Sequence, residues 1–352
     1  MKPRDKVLFV CSHTPAANAP EAGHKTAWRN IERLAGEADV DILLVTNEAE
    51  LRHMPAQWPA NARLLDTVSV SKLGKLLAVL TKARRWSPRF AARLTPAAIA
   101  AVRRAFASQR YDRVWLEFTE CAGFLDWIPA DVHVTVSAPD VLIQWALRNR
   151  SLYRYLAPAT FDNEQAVLTR ANQVVAQSPK DADLIRALYS INHVSVEMPA
   201  LAPFVHQIKR DGNVIVAKSV LFWGAMSRAE NSRAALRFLD IHWPVIVARH
   251  PDATLYIVGS GPPAEVSARA TERVVVTGFV EDPSRYFAQA CVGVAPLEEG
   301  AGIKVKVLEM LAAGIPVIST PVGAEGISAH PELHVCDFGQ FAAAVLRQFD
   351  AR

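Results

Sequence analysis

The stretch "VVVTGFVEDPSRYFAQACVGVAPLEEGAGIKVKVLEMLAAGIPVIST", residues 274 to 320, decides the fold. Its short apolar runs at 274–280, 292–296 and 316–320 lack polar alternation and are separated by helical segments. Strands of that kind are buried on both faces, which places them in a parallel sheet covered by helices on either side. Asp282 followed by Pro283 provides the N-cap and first turn of a helix over 282–290, and Gly314 stops a second helix over 303–313. Lys304 and Lys306 stand where this second helix begins. A helix N-terminus carries about half a positive charge and exposes unpaired N–H groups, so cations there require an anion. Gly300 and Gly302, just upstream, let backbone approach such an anion closely. The pattern predicts a phosphate or diphosphate site. A plain helical Lys306–Glu309 pair explains less, because lysine before glutamate is the poorer orientation.

Working outward, strands are expected at 220–224 and 253–261, with a helix over 231–247 between them, which completes a doubly wound domain over 214–352. The first half repeats the theme. Strands are expected at 6–11, 40–46, 114–118, 132–136 and 174–177, with helices near 24–36, 71–84, 95–108, 142–156, 162–171 and 180–189. The segment "EMPALAPFVHQIKRDGN" (197–213) has no clear period and carries prolines and a glycine, so it reads as a hinge after a first domain over 1–196. The expected architecture is α/β, with two doubly wound Rossmann-like domains facing across a cleft at the carboxyl ends of their strands.

The chain has 352 residues, 51% of them hydrophobic, enough for two cores of ordinary size. Its net charge of +4 comes from one place. Between Asp66 and Asp112 no acidic residue occurs, while Lys72, Lys75, Lys82, Arg84, Arg85, Arg89, Arg93, Arg103, Arg104 and Arg110 do. Interleaved leucines make residues 72–110 a basic amphipathic surface suited to anionic lipid, with a solvated helical face as the plainer reading. No aromatic-rich binding motif accompanies the charge, so a nucleic-acid partner is not expected. Cys11, Cys121, Cys291 and Cys336 lie far apart, which suggests neither a zinc site nor a disulfide framework. No apolar stretch approaches the length of a membrane span, and the apolar run at 7–10 is too short for a signal-peptide core. The expectation is a cytoplasmic protein, peripheral on the inner face of the membrane if the basic segment binds lipid.

Other motifs say less. "GSGPPA" (259–264) has dinucleotide-fingerprint spacing, but Pro262 and Pro263 remove N–H groups a pyrophosphate would use, so a glycine turn is preferred. "DVD" (39–41) and "DAD" (181–183) resemble metal-binding pairs only in spacing, and His13, His24 and Cys11 lack ligand spacing. No metal and no cofactor are expected.

The ordered motifs "FWGAMSRAENSRAALRFLDIHWPVIVARHPDATLYIVGSGP" and residues 274–327 together resemble the C-terminal half of GT-B glycosyltransferases of family 4, in particular the bacterial exopolysaccharide and sugar-transferase branch. The resemblance implies a donor substrate such as a UDP- or GDP-sugar. Position by position, it implies that Glu309 binds the ribose and that Gly302, Ile303 and Lys306 lie beside the diphosphate. Phe279 and Val280 would meet the base, Gly224 would end the first strand of the donor domain, and Gly23 would face the donor from the first domain. The sequence also departs from the family. Ala301 stands where the usual first glutamate would be, and Glu299 is two residues out of register, so either a longer loop brings Glu299 to the sugar or that contact is lost. The usual Arg and Lys after the first donor-domain strand are missing, leaving Lys304, Lys306 and Arg228 to replace them. "VTVSAPDVL" offers Asp140 where relatives carry a histidine. Glu117 and Glu120 are further acceptor-side candidates.

The expectation is therefore metal-independent, retaining transfer from a nucleotide-diphosphate sugar to a saccharide or lipid-linked acceptor. Lys306, Lys304, Glu299 and Asp140 are its candidate catalytic groups. A non-catalytic sugar-nucleotide-binding subunit and a sugar-nucleotide epimerase are the alternatives.

Overall fold

The computed structural model describes residues 4–17, 19, 22–52, 54–148, 152–210 and 214–351, with the side chains of Leu152 and Tyr153 excepted. The chain divides into two compact units, Met1–Met198 and Pro199–Arg352.

The first unit is built on a parallel sheet of order β3-β2-β1-β4-β5-β6-β7. Its strands are β1 (Lys6–Cys11), β2 (Asp39–Thr46), β3 (Ala62–Ser69), β4 (Arg113–Glu117), β5 (His133–Ala138), β6 (Gln173–Ala176) and β7 (Val194–Val196). Along β1, Leu8 and Val10 enter the core on one face while Val7, Phe9 and Cys11 enter the core on the other. That two-sided burial is why the strand carries no polar alternation. Helix α1 (Ala22–Glu37) returns the chain from β1 to β2, and the short helix α2 (Glu48–Leu51) follows β2, capped by the Asn47 side chain on the N–H groups of Ala49 and Glu50. Helix α3 (Lys72–Lys82) follows β3.

The second unit repeats the plan with order β10-β9-β8-β11-β12-β13. These strands are β8 (Ser219–Trp223), β9 (Thr254–Val258), β10 (Val274–Val276), β11 (Val292–Ala295), β12 (Val317–Ser319) and β13 (Leu333–Val335). The helix expected over 231–247 runs as Ala229–Arg237, a π-helical turn Phe238–His242, and Trp243–Arg249. Pro244, with no N–H to donate, stands just after the turn that interrupts the ladder.

Three strands escaped the reading of the sequence: β3, β7 and β13, each of which lies at the edge of its sheet. The segment expected as a hinge is partly packed structure. Val205 is buried in a core of the second unit with Leu201, Phe204 and Ile208 against it, and residues 211–213 lie outside the described residues.

Candidate active site

In a doubly wound sheet, ligands bind beyond the carboxyl ends of the strands where the strand order reverses. In the second unit that point lies between β8 and β11. The loop after β8, "GAMSR" (224–228), and the loop after β11, leading to the helix Val305–Ala312, both start there.

Gly224 has φ +149°, and a Cβ on it would lie 3.0 Å from Lys306 Nζ. The Asn231 amide joins the two loops: its Nδ2 donates to the Ala225 carbonyl at 2.7 Å, and its Oδ1 accepts from Lys306 Nζ. Arg228, the N-cap of the helix Ala229–Arg237, donates to Glu230 at 2.6 Å. Burial first, and then the Arg228 charge, brings the Lys306 ammonium down to about 7. Burial raises the Glu230 carboxyl, but Arg228, a backbone N–H and Lys306 together bring the net shift downward. A fixed cation beside glycine backbone that carries no side chain is suited to a diphosphate.

The glycine turn after β9 shapes the first of these loops. Gly259 has φ +151°, Met226 and Ser227 N–H groups donate to the Ser260 carbonyl at 2.7 and 3.1 Å, and Gly224 N–H donates to Val258 at 3.0 Å. The "GSGPPA" motif thus packs as a turn against the loop after β8.

The other expected donor-side residues take varied positions. Gly300 and Gly302 have φ +104° and +70°, as the loop geometry requires. Lys304 is buried and turned into this loop, with Nζ donating to the carbonyls of Ala301 at 3.0 Å and Gly302 at 2.6 Å. Contrary to the expectation of an outward cation, its ammonium donates to the loop's own carbonyls. Glu309, expected at a ribose, accepts from Trp223 Nε1 at 2.7 Å and Ala202 N–H at 3.2 Å. Both of its oxygens are thus occupied by protein donors, tying β8 and the 199–206 segment to the helix. Glu299 pairs with Arg233 on the helix Ala229–Arg237, as its neighbour Glu298 does with Arg237. Ile303 is buried, whereas Phe279, just beyond β10, exposes 62% of its surface beside the half-buried Val280. Asn231, which fixes Lys306, was missed, since an asparagine in the first turn of a helix reads as local capping.

In the first unit Gly23 lies in the first turn of α1, where a Cβ would meet the Phe118 ring at 3.3 Å. Asp140 sits in the bend between β5 and the helix Leu142–Arg148. Glu117 is fully buried and accepts from Trp115 Nε1 at 2.6 Å, Asn30 at 2.8 Å and Ser137 at 3.0 Å, with burial pushing its carboxyl upward. Glu120 is buried with Arg89 at 3.8 Å. Both acids are committed inside the fold, unlike the acceptor contacts expected of them. Spacing had argued against ligand geometry at His13 and His24, but parallel pairing of β1 and β2 brings Glu50 to them, so all three lie together.

Residues 217–350 match the family model described as Glycosyl transferases group 1. An "uncharacterized 44.6 kDa protein in cps region" of Klebsiella pneumoniae is 26% identical over 139 residues, a match covering 37% of this chain and 36% of that protein. The chain therefore matches little more than a third of that curated relative. Among solved structures, sucrose-phosphate synthase from Thermosynechococcus elongatus superposes with TM-score 0.72 at 18% identity, over 98% of this chain and 89% of that one. HepE of Anabaena in complex with UDP-glucose gives TM-score 0.64 at 12% identity, over 98% and 90%. WaaG, a glycosyltransferase involved in lipopolysaccharide biosynthesis, gives 0.66 at 14%, over 98% and 90%. At such identities the superpositions establish the fold, two Rossmann-like domains of the GT-B kind. The chain thus has the GT-B fold, and it is its second unit that matches the glycosyl transferases group 1 family.

Proposed function

We propose that the chain transfers a sugar from a UDP- or GDP-sugar to a saccharide or lipid-linked acceptor, working as a family 4-like enzyme at an anionic membrane surface on the cytoplasmic side. The observation that carries this reading is Lys306, fixed by Asn231 beside Gly224 and Arg228 at the reversal point of a group 1 glycosyltransferase domain. Breaking the sugar–phosphate bond leaves negative charge on the diphosphate. Donors fixed before the reaction stabilise that charge more in the transition state than in the ground state. Lys306, Arg228 and the N–H groups of the loop over 300–304 supply this stabilisation, so the donor diphosphate needs no divalent ion. Lys304 contributes by holding the loop's shape, and the exposed Phe279 ring offers a face to the base. Retention follows from the family resemblance: the acceptor attacks on the face the diphosphate leaves, and the departing phosphate takes the acceptor proton. Asp140 is assigned to acceptor binding, and Gly23, in the same unit, to the donor, as the family resemblance implies. The cps-region relative and the UDP-glucose complex of HepE support the polysaccharide context and the donor class.

The full chain should be stabilised by a nucleotide sugar in a thermal-shift screen and should release the nucleoside diphosphate only when a saccharide acceptor is added. Conversion of the donor alone into an epimer, or binding without turnover for any acceptor, would overturn the assignment.

The membrane surface is assigned to α3. Leu73, Leu76, Leu77 and Leu80 follow helical spacing and are 64%, 55%, 53% and 65% exposed. Among the described residues, Lys72, Lys75, Lys82 and Arg84 make no ion pair. An outward apolar stripe beside unneutralised cations fits an anionic interface. The chain is expected to float with phosphatidylglycerol vesicles and much less with phosphatidylcholine. Leu76→Ser combined with Leu80→Ser should weaken that binding about 30-fold, since each leucine transfers on the order of 1 kcal/mol or more of burial energy. Equal flotation on neutral and anionic vesicles would sink the idea. No helix among the described residues is long and apolar enough to cross a membrane.

A further inference from the structure

We infer that His13, His24 and Glu50 form a binding site for a zinc-class divalent transition metal in the first unit. The three come from different elements: His13 from the turn after β1, His24 from α1, and Glu50 from α2. Their convergence lies beside the reversal point of the sheet, between β1 and β4, where His13 also packs edge-on against Phe118 with ring centroids 4.9 Å apart.

The geometry gathers three potential ligands around one point. One potential ligand atom from each residue lies within 4.8 Å of the other two. His13 Nδ1 is 3.4 Å from Glu50 Oε1, and His24 Nε2 is 3.4 Å from Glu50 Oε2. Ligands about 2.0–2.1 Å from a tetrahedral zinc ion stand about 3.3–3.4 Å from one another. Each histidine nitrogen therefore stands one edge-length from the Glu50 carboxylate, His13 at one oxygen and His24 at the other. Two histidines and a glutamate, leaving one position open, are also a ligand set of catalytic zinc sites.

The tautomer supports a cation. His24 Nδ1 lies 2.6 Å from the Thr14 carbonyl, which can only accept, so Nδ1 carries the hydrogen. In a neutral ring, Nε2 then turns a lone pair toward the Glu50 carboxylate, and two facing lone pairs need a positive species between them. A metal ion meets that need with both rings neutral. The histidine-to-carbonyl bond is the outer contact that orients metal-ligating imidazoles. The side chain of His24 is 4% exposed and that of Glu50 20%, so the site is sheltered, and that of His13, at 30%, leaves it an entry. Cys11 Sγ donates to the His13 carbonyl at 2.9 Å and so stands outside the set.

The test uses the untagged full chain, stripped with chelator and titrated with Co²⁺ and then Zn²⁺. One equivalent of Co²⁺ should produce the intense visible absorption of a four- or five-coordinate ion, and Zn²⁺ should abolish it. His13→Ala and Glu50→Gln should each weaken Zn²⁺ binding about 100-fold or more in calorimetry. Both are preferred to a His24 variant, because His24 is buried and its loss could unfold the helix. Retained thermal stabilisation by nucleoside diphosphate, whose assigned residues are in the other unit, shows that each variant is folded. The absence of stoichiometric Co²⁺ binding, or unchanged affinity in both variants, would overturn the site and assign the space between His24 and Glu50 to a proton.

Discussion

Lys306→Met is expected to lower kcat/KM for sugar transfer by about a thousandfold or more, while raising the melting temperature of the ligand-free chain by about 2–4 °C or more. The two effects have one cause. The ammonium is held by Asn231 in a site where burial and the Arg228 charge disfavour it, bringing it from 10.5 down to about 7. Between those values the unfolded chain binds more protons than the folded chain. The ligand-free fold is therefore penalised fully below pH 7, and the penalty fades as pH rises toward the unfolded value. Methionine keeps the chain length and removes the penalty. A bound diphosphate reverses the balance by pairing with the cation, so donor affinity should fall as pH rises above about 7, with net proton uptake on binding at about pH 8. Calorimetry of nucleoside diphosphate binding in buffers of different ionisation enthalpy reads that uptake. Unchanged diphosphate affinity in Lys306→Met would show that the phosphate site lies elsewhere.

Gly259→Ala should destabilise the second unit by about 3 kcal/mol or more and take nucleotide binding with it. At φ +151°, an added Cβ would stand 1.9 Å from the carbonyl oxygen of Gly224. That oxygen belongs to backbone pinned by Gly224 N–H on Val258 and Met226 N–H on Ser260, so it cannot withdraw without breaking the loop that supports Lys306. Gly278 is the control: it also has positive φ, +67°, but an added Cβ there meets nothing within 4 Å, so alanine should cost only about 1 kcal/mol. Denaturant unfolding of both variants measures the difference. A loss below about 1 kcal/mol for Gly259→Ala would mean that the two loops are not rigidly coupled.

Strand legibility followed burial. The interior strands β1, β4, β8, β9 and β11 are apolar on both faces and announce themselves as hydrophobic runs. The missed strands are edges, where one side of the ladder faces solvent and charge is tolerated. In β3, Arg63 and Asp66 are paired with Asp41 and Arg104 across the surface, which erases the apolar run. The exposed leucines of α3 were legible only in part: sequence revealed the basic, leucine-rich composition, but the outward direction of the stripe depends on what the rest of the first unit packs against.

By itself the sequence determined the doubly wound plan and the glycine–lysine loop opening the helix Val305–Ala312, because both rest on local requirements: two-sided burial, positive φ and a helix terminus. Tertiary structure decided which partners each lysine meets and which acids are committed inside the fold. Lys304 and Lys306 are two residues apart and alike in sequence, yet one donates to carbonyls of its own loop and the other meets Asn231 and Gly224, 75 and 82 positions upstream. Parallel β-connections return the chain to neighbouring strand ends after long excursions, and so Glu50 could reach His13 and His24 without any spacing that a sequence displays.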